Sequence, residues 1–135
     1  MLDGLSLPQP GRYAEMLAER MAKHKVDCWL INTGWTGGKY GSGKRCPLKF
    51  TRRIVDAVHS GELAKAEFET FATFNLSIPT YLEGVPREIL NPSMAWADKE
   101  AFQKELRKLA GMFQKAFHLY EKDVEEKVRL AGPTA

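Results

Sequence analysis

Apolar residues recur at steps of four in the first patterned part of the chain. Tyr13, Leu17 and Met21 share one face at the helical period. Pro10 suits the first turn of such a helix, because its missing N–H would have no intrahelical partner there. The pattern therefore predicts a helix from Pro10 to Lys25.

The next segment, VDCWLI at Val26–Ile31, is apolar almost without interruption. Such a run predicts a strand inside a sheet that is covered on both faces. Cys28 lies within this run and is predicted to be a small core residue. A loop rich in glycine then extends from Asn32 to Lys44.

Beyond this loop, strand and helix signals alternate. We predict a short strand at Arg45–Lys49, and Thr51 can cap a helix that stops at Gly61. Alternation of apolar and polar residues up to Pro79 predicts another strand, carrying Phe74, Leu76 and Ile78. Asp98 can cap a long helix. One face of that helix is predicted to be core: Phe102, Leu106, Leu109, Phe113, Phe117 and Tyr120.

This order of elements predicts an α/β fold, with a partial mixed sheet and flanking helices. The length of 135 residues corresponds to one domain. Residues 1–9 carry no periodic pattern, so we expect a leader at 1–9 followed by a single structural unit at 10–135.

The composition and charge of the chain argue against some classes of function. A net charge of +3 does not indicate nucleic-acid binding, and no segment is long and apolar enough to cross a membrane. The two cysteines form no ligand pattern with the three histidines, and the start of the chain lacks the features of a signal peptide. These observations indicate a reduced, cytoplasmic protein.

The glycine-rich loop contains a motif that resembles a phosphate-binding loop. Gly38 to Arg45 satisfies G-x-x-x-x-G-K, but Arg45 stands where the motif needs a Ser or Thr hydroxyl to ligate Mg²⁺. We therefore do not expect a true P-loop. The alternative interpretation is that the glycines only form turns, although cations cluster around them: Lys39, Lys44, Arg45, Lys49, Arg52 and Arg53.

Several motifs together resemble the ATP-dependent phosphoenolpyruvate carboxykinases. They are INTGW at Ile31–Trp35, GKR at Gly43–Arg45, the pair Thr51-Arg52, FNLSIPT at Phe74–Thr80 and GVPREILNP at Gly84–Pro92. The helix RYAEMLAERM at Arg12–Met21 is also similar, and the insertion KYGSG is closest to the fungal branch. The resemblance covers nearly the whole chain from Arg12 onward, as the C-terminal portion of the family's nucleotide-binding lobe.

The resemblance implies a lyase of gluconeogenesis, which converts oxaloacetate and ATP to phosphoenolpyruvate, ADP and CO₂. The family's Walker A loop, its Mg²⁺ or Mn²⁺ ligands and its substrate arginines belong to sequence that is not matched here. The resemblance thus implies a nucleotide-binding role without catalytic residues or metal ligands in this chain. ATP is the implied ligand, and oxaloacetate and phosphoenolpyruvate are implied only for the complete enzyme.

Three residues carry over as implied nucleotide contacts. Arg45 matches an arginine at the adenosine side of the ATP site, Cys46 matches a neighbour whose backbone lines that pocket, and Thr51 matches a hydroxyl donor. From the residues alone, Thr51 is equally well explained as an N-cap.

Two alternatives to an enzyme fragment stay open. One is a non-enzymatic interaction module, and the other is a small nucleotide-binding protein that uses its glycine-rich loop. In the family the strand matching Val26–Ile31 lies within a larger sheet. We therefore expect the chain alone to be marginally stable, or to self-associate through an exposed sheet edge.

Overall fold

A computed structural model describes residues 10–38 and 41–134. The α-helices are α1 Pro10–His24, α2 Leu48–His59, α3 Arg87–Leu90, α4 Pro92–Ala95, α5 Lys99–Phe117 and α6 Glu126–Leu130. The strands are β1 Trp35–Thr36, β2 Lys44–Arg45, β3 Phe68–Phe71 and β4 Leu76–Pro79. Single 3₁₀ turns lie at Leu63–Lys65, Ala72–Phe74 and Glu121–Asp123. Helices and strands are thus both present, as the sequence predicts.

The first helix forms where the apolar period places it, and its end is specified by backbone geometry. Lys25 has a left-handed φ of 51°, and the N–H of Val26 donates to the carbonyl of Met21 at 3.3 Å. This six-residue hydrogen bond is the Schellman closure, which satisfies a terminal carbonyl and turns the chain away from the helix axis.

The segment that follows α1 differs from the prediction. Val26–Ile31 is extended but is not a strand, and its backbone from 27 to 31 forms no hydrogen bond within the described ranges. Leu30 is 85% exposed, and Cys28 is exposed as well, so the predictions of a buried strand and a core cysteine are wrong. The physical reason is that a strand needs a partner, and no described strand pairs with this segment.

The predicted mixed sheet is replaced by two separate antiparallel pairs. β1 pairs with β2, placing Trp35 opposite Arg45, and β3 pairs with β4, placing Phe71 opposite Leu76. The sequence analysis predicted the segment of β4 as a strand but not its partner β3, FETF. β2 is shorter than the predicted strand at Arg45–Lys49, because α2 already begins at Leu48 behind Pro47, whose φ is −62°.

The second helix supplies the centre of the core. Ala57 of α2 is fully buried, and Leu63, Leu82 and Val85 are buried around it. Larger, partly buried side chains pack against this cluster: Trp29, Phe50, Ile54, Val58, Ile89 and Leu90. α2 ends near the predicted Gly61, whose φ is +73°.

The long helix begins as predicted, since the Asp98 carboxylate accepts a hydrogen bond from the N–H of Ala101 at 2.9 Å. Its first half is anchored by aromatic contacts: Phe102 lies 5.8 Å from Trp96 and 6.4 Å from Phe71 between ring centroids. The second half is more open, because Leu109 is 45% and Phe113 is 54% exposed. The predicted apolar face is therefore core only in part. No described helix has the length and apolarity needed to span a membrane.

The buried cluster around α2 leads to a prediction about the stability of the fold. Leu63→Ala removes a side chain that is only 2% exposed, so it should lower the free energy of unfolding by about 2–5 kcal/mol. Leu119→Ala is the control, because Leu119 is 78% exposed and its loss should change stability by less than about 0.5 kcal/mol. Urea melts followed by far-UV circular dichroism measure both. Equal midpoints for the two variants would contradict the assignment of the core.

Candidate functional site

A cavity of about 740 Å³ lies between the extended segment 27–32 and the core. Its walls come from that segment, β1, the start of α2, β4 and the junction of α3 with α4. Segments far apart in sequence thus meet around one volume. The volume lies within the range usual for small-molecule sites.

The lining of this cavity is mainly apolar, with a few neutral polar groups and one carboxylate, Asp27. Trp29, Ile54 and Ile78 contribute apolar surface, and the rings of Trp29 and Phe68 are 6.0 Å apart. Thr36 and Thr51 add hydroxyl groups. Such a mixture suits a flat, weakly polar body whose orientation is set by a small number of hydrogen bonds.

Two of the three predicted contact residues lie in this cavity. Cys46 and Thr51 both line it, and the Cys46 Sγ is 3.8 Å from the Thr51 Oγ1. The backbone N–H of Cys46 donates to the Gly34 carbonyl at 3.0 Å, which ties Cys46 to the start of β1. Both side chains are half-buried, so they are ordered by the fold and still adjoin the open volume.

The N-cap interpretation of Thr51 is wrong. The N-cap of α2 is Pro47, which makes no side-chain capping bond, and the N–H of Thr51 donates to the Pro47 carbonyl at 3.5 Å. Thr51 therefore lies within the first turn of the helix. Since its hydroxyl does not serve as a cap, it can serve a ligand in the cavity.

Arg45 occupies a different position. It lies on β2 opposite Trp35, is exposed, and is not among the residues that line the cavity. Trp35, by contrast, lines the cavity and is 47% exposed. The β1–β2 hairpin thus places the guanidinium-bearing strand beside the cavity and not inside it.

The glycine-rich loop connects β1 to β2 and so forms the end of a hairpin. A phosphate-binding loop instead leads from a strand directly into a helix N-terminus. The backbones in this hairpin are close-packed: an added Cβ on Gly43 would lie 2.5 Å from the Gly38 carbonyl oxygen. Lys39 and Tyr40 of the predicted motif lie outside the described residues.

Sequence reasoning missed a polar junction that shapes one wall of the cavity. The Asn91 side chain donates to Glu69 Oε1 at 2.8 Å and accepts from both the N–H and the Oγ of Ser93, at 3.0 and 2.6 Å. Asn91 is thereby the N-cap of α4 and a bridge to β3. The Asn91-Pro92 pair is a recognisable cap signal, since proline is favoured at the first helical position.

Arg53 also has a partner that the sequence did not indicate. Its Nη2 donates to Glu62 at 2.6 and 2.8 Å, which connects α2 to the 3₁₀ turn after it. Hydrogen bonding to Glu62 raises the pKa of the Arg53 guanidinium above its usual value. Arg53 therefore supports the fold, whereas Arg52 remains exposed.

Among residues 10–38 and 41–134, no three His, Cys, Asp or Glu side chains form a group that could hold a metal ion. The described residues thus offer no ligand set for the Mg²⁺ or Mn²⁺ that the resemblance implies for a complete enzyme.

Comparison with known families identifies the family to which this chain belongs. The sequence model of the phosphoenolpyruvate carboxykinases matches residues 5–88, which is more than half of the chain. The chain belongs to the phosphoenolpyruvate carboxykinase family. The resemblance in the Trp35, Lys44 and Thr51 region is thereby confirmed at the level of the family.

Individual members of the carboxykinase family agree with this assignment. The chain is 54% identical over 126 residues to a phosphoenolpyruvate carboxykinase (ATP) of Candida glabrata. It is 53% identical over 124 residues to that of Rhodopseudomonas palustris strain TIE-1, and 51% identical over 125 residues to that of Emericella nidulans. These alignments cover 92% of this chain but only 23%, 23% and 21% of the respective relatives. The chain therefore spans less than a quarter of the length of these carboxykinases.

Proposed function

We propose that this chain supplies the adenosine side of an ATP site in a phosphoenolpyruvate carboxykinase. The observation that carries the proposal is the meeting of Cys46 and Thr51 in one largely apolar cavity. A nucleoside has the matching chemistry, because it combines a flat ring with a few hydrogen-bonding groups. We further propose that residues 10–135 form a C-terminal fragment of the nucleotide-binding domain, and that the protein acts in the cytoplasm.

Each proposed contact has its own physical role. The Thr51 hydroxyl can donate or accept a hydrogen bond at the cavity wall. Cys46 contributes wall surface beside it, while Arg45 on the adjacent hairpin provides a planar cation for stacking or for a bidentate contact. With Thr51 and Cys46 at the cavity wall and Arg45 outside it, the nucleoside would enter the cavity and the phosphates would lie toward the hairpin.

The complete reaction needs parts that these residues do not provide. In the proposed reaction oxaloacetate loses CO₂, and the resulting enolate oxygen takes the γ-phosphoryl group of ATP to give phosphoenolpyruvate and ADP. Phosphoryl transfer depends on metal ions and on groups that surround the transferred phosphate. Bound Mg²⁺ or Mn²⁺ would supply that charge stabilisation, whereas the residues described here would only orient the nucleoside.

The nucleotide proposal predicts the effect of two substitutions on ATP affinity. Arg45→Ala should weaken binding by about 1–3 kcal/mol, as expected for a hydrogen bond to a charged group, and Thr51→Val by about 1 kcal/mol. Arg52→Ala is the matched control, because Arg52 is an exposed cation outside the proposed site. Calorimetric titration with ATP, with and without Mg²⁺, measures all three. Equal ATP affinity in wild type, Arg45→Ala and Thr51→Val would contradict the assignment of Arg45 and Thr51 as nucleotide contacts.

Catalysis by this chain alone is not expected, because the phosphate-binding loop and the metal ligands of the family have no counterpart in its sequence. Incubation of the pure chain with oxaloacetate, ATP and Mn²⁺ should yield no phosphoenolpyruvate above the background without protein. Formation of phosphoenolpyruvate that depends on both ATP and the chain would refute this expectation.

A second candidate function, a non-enzymatic interaction module, is favoured by the extended segment 26–31. We propose that two copies associate through this edge, because unpaired backbone groups and exposed apolar side chains favour strand pairing.

Leu30→Lys should shift the protein toward monomer, since Leu30 is 85% exposed. Leu130→Lys, at a site that is 77% exposed on α6, should leave the association unchanged. Size-exclusion chromatography with light scattering measures the molar mass of each variant in solution. A wild-type monomer at all concentrations would exclude self-association.

A further inference from the structure

Gly37 brings the glycine-rich hairpin close to α4. This residue follows β1 directly and has a φ of +73°. A Cβ added to Gly37 would lie 2.9 Å from the carbonyl oxygen of Ala95, the last residue of α4. Real Cβ atoms do not approach a backbone oxygen so closely without displacing it. The hairpin therefore lies against α4 through a contact that glycine permits.

The carbonyl that Gly37 meets is held in place from two directions. On one side, Asn91 caps α4 and bonds to Glu69 of β3. On the other side, the Lys99 ammonium group donates to the carbonyls of Ser93 and Trp96, at 2.7 and 2.9 Å. Because α4 is bonded to both β3 and the start of α5, a larger residue at 37 would displace the hairpin more readily than α4.

Displacement of the hairpin would move the edge of the cavity. Trp35 and Thr36 precede Gly37 directly and line the cavity. Arg45 is paired with Trp35, and the next residue, Cys46, is bonded to the Gly34 carbonyl. A shift at Gly37 would therefore move two of the proposed nucleotide contacts, Arg45 and Cys46, relative to the third, Thr51, which lies on α2.

We propose that Gly37 is a positioning residue for the nucleotide site, and that its contact with the Ala95 carbonyl sets the distance between the hairpin and α4. The proposal rests on the proposed ATP site, and it adds the element that places Arg45 and Cys46. Gly37 itself touches no reacting group. Its role is to allow the close backbone approach.

The same loop contains a matched comparison. Gly41 also has a positive φ, of +90°, but a Cβ added there meets no described atom within 4 Å. An alanine at either position adopts a backbone conformation that L-residues disfavour. The two substitutions thus share this conformational cost. Of the two, only the Cβ added by Gly37→Ala also contacts the Ala95 carbonyl.

The experiment compares wild type, Gly37→Ala and Gly41→Ala in the full chain by two measurements. Calorimetric titration should show ATP binding weakened about tenfold or more in Gly37→Ala and changed less than about twofold in Gly41→Ala, because small misplacements of contact groups have large effects. Limited trypsin digestion should cleave faster after Lys44 and Arg45 in Gly37→Ala only, by about threefold or more, since a displaced hairpin opens more often. Mass spectrometry identifies the cleavage sites.

Each outcome has a defined meaning. Equal cleavage rates in the two variants would overturn the positioning role, whether or not ATP binds. Faster cleavage of Gly37→Ala with unchanged ATP affinity would overturn its link to the nucleotide site. If wild type binds no ATP, the proposed function fails, and the digestion still decides whether Gly37 positions the hairpin.

A second variant covers the case in which Gly37→Ala does not fold, which a urea melt would reveal. Asn91→Ala releases α4 from β3 without touching the hairpin. It should also accelerate cleavage after Lys44 and Arg45 and weaken ATP binding, because the Ala95 carbonyl is then less firmly held. Wild-type cleavage and affinity in Asn91→Ala would contradict the proposal.

Discussion

The packing of α2 against the chain that follows it is the interaction on which the other elements depend. Ala57 is small enough to let the helix approach closely, and Leu63, Leu82 and Val85 fill the space around it. Trp29 from the extended segment and Ile89 and Leu90 from α3 reach the same cluster. Because these contacts come from segments far apart in sequence, the cluster brings the walls of the cavity together. The apolar side of the candidate site is thus an extension of the core.

The polar side of the site is organised differently, through backbone hydrogen bonds and glycine contacts. The two-residue strands β1 and β2 are too short to be stable alone, since isolated hairpins are marginal in water. They are supported by the Cys46 to Gly34 hydrogen bond and by the approach of Gly37 to α4. The hairpin that carries Arg45 therefore depends on a few specific contacts, while Thr51 is held by a full helix.

The chain aligns with only part of each carboxykinase, and it exposes apolar side chains in the segment 26–31. The matched relatives are more than four times as long as the aligned segment, as their coverage of 21–23% shows. In this chain, Val26 is 54% and Leu30 is 85% exposed in the segment that would suit a sheet interior. Single exposed apolar residues are normal, but a consecutive extended run with unpaired backbone groups favours association. The nucleotide-contacting and interaction proposals therefore involve the same residues, 27–31, which also line the cavity.

The sequence by itself determined the helices α1, α2 and α5, the cap at Asp98, the stop near Gly61 and the family, but not the short helices α3 and α4. It also indicated Cys46 and Thr51, which share one cavity, although it left the role of Thr51 open between cap and contact. Tertiary structure alone decided that Val26–Ile31 has no strand partner, that Cys28 is exposed, that Arg45 lies outside the cavity, and that Gly37 meets Ala95. The reason is physical. A helix satisfies its backbone hydrogen bonds within one segment, so local residues suffice to specify it. A strand, a buried position and a close backbone approach each need a partner from elsewhere in the chain, which the local sequence does not name.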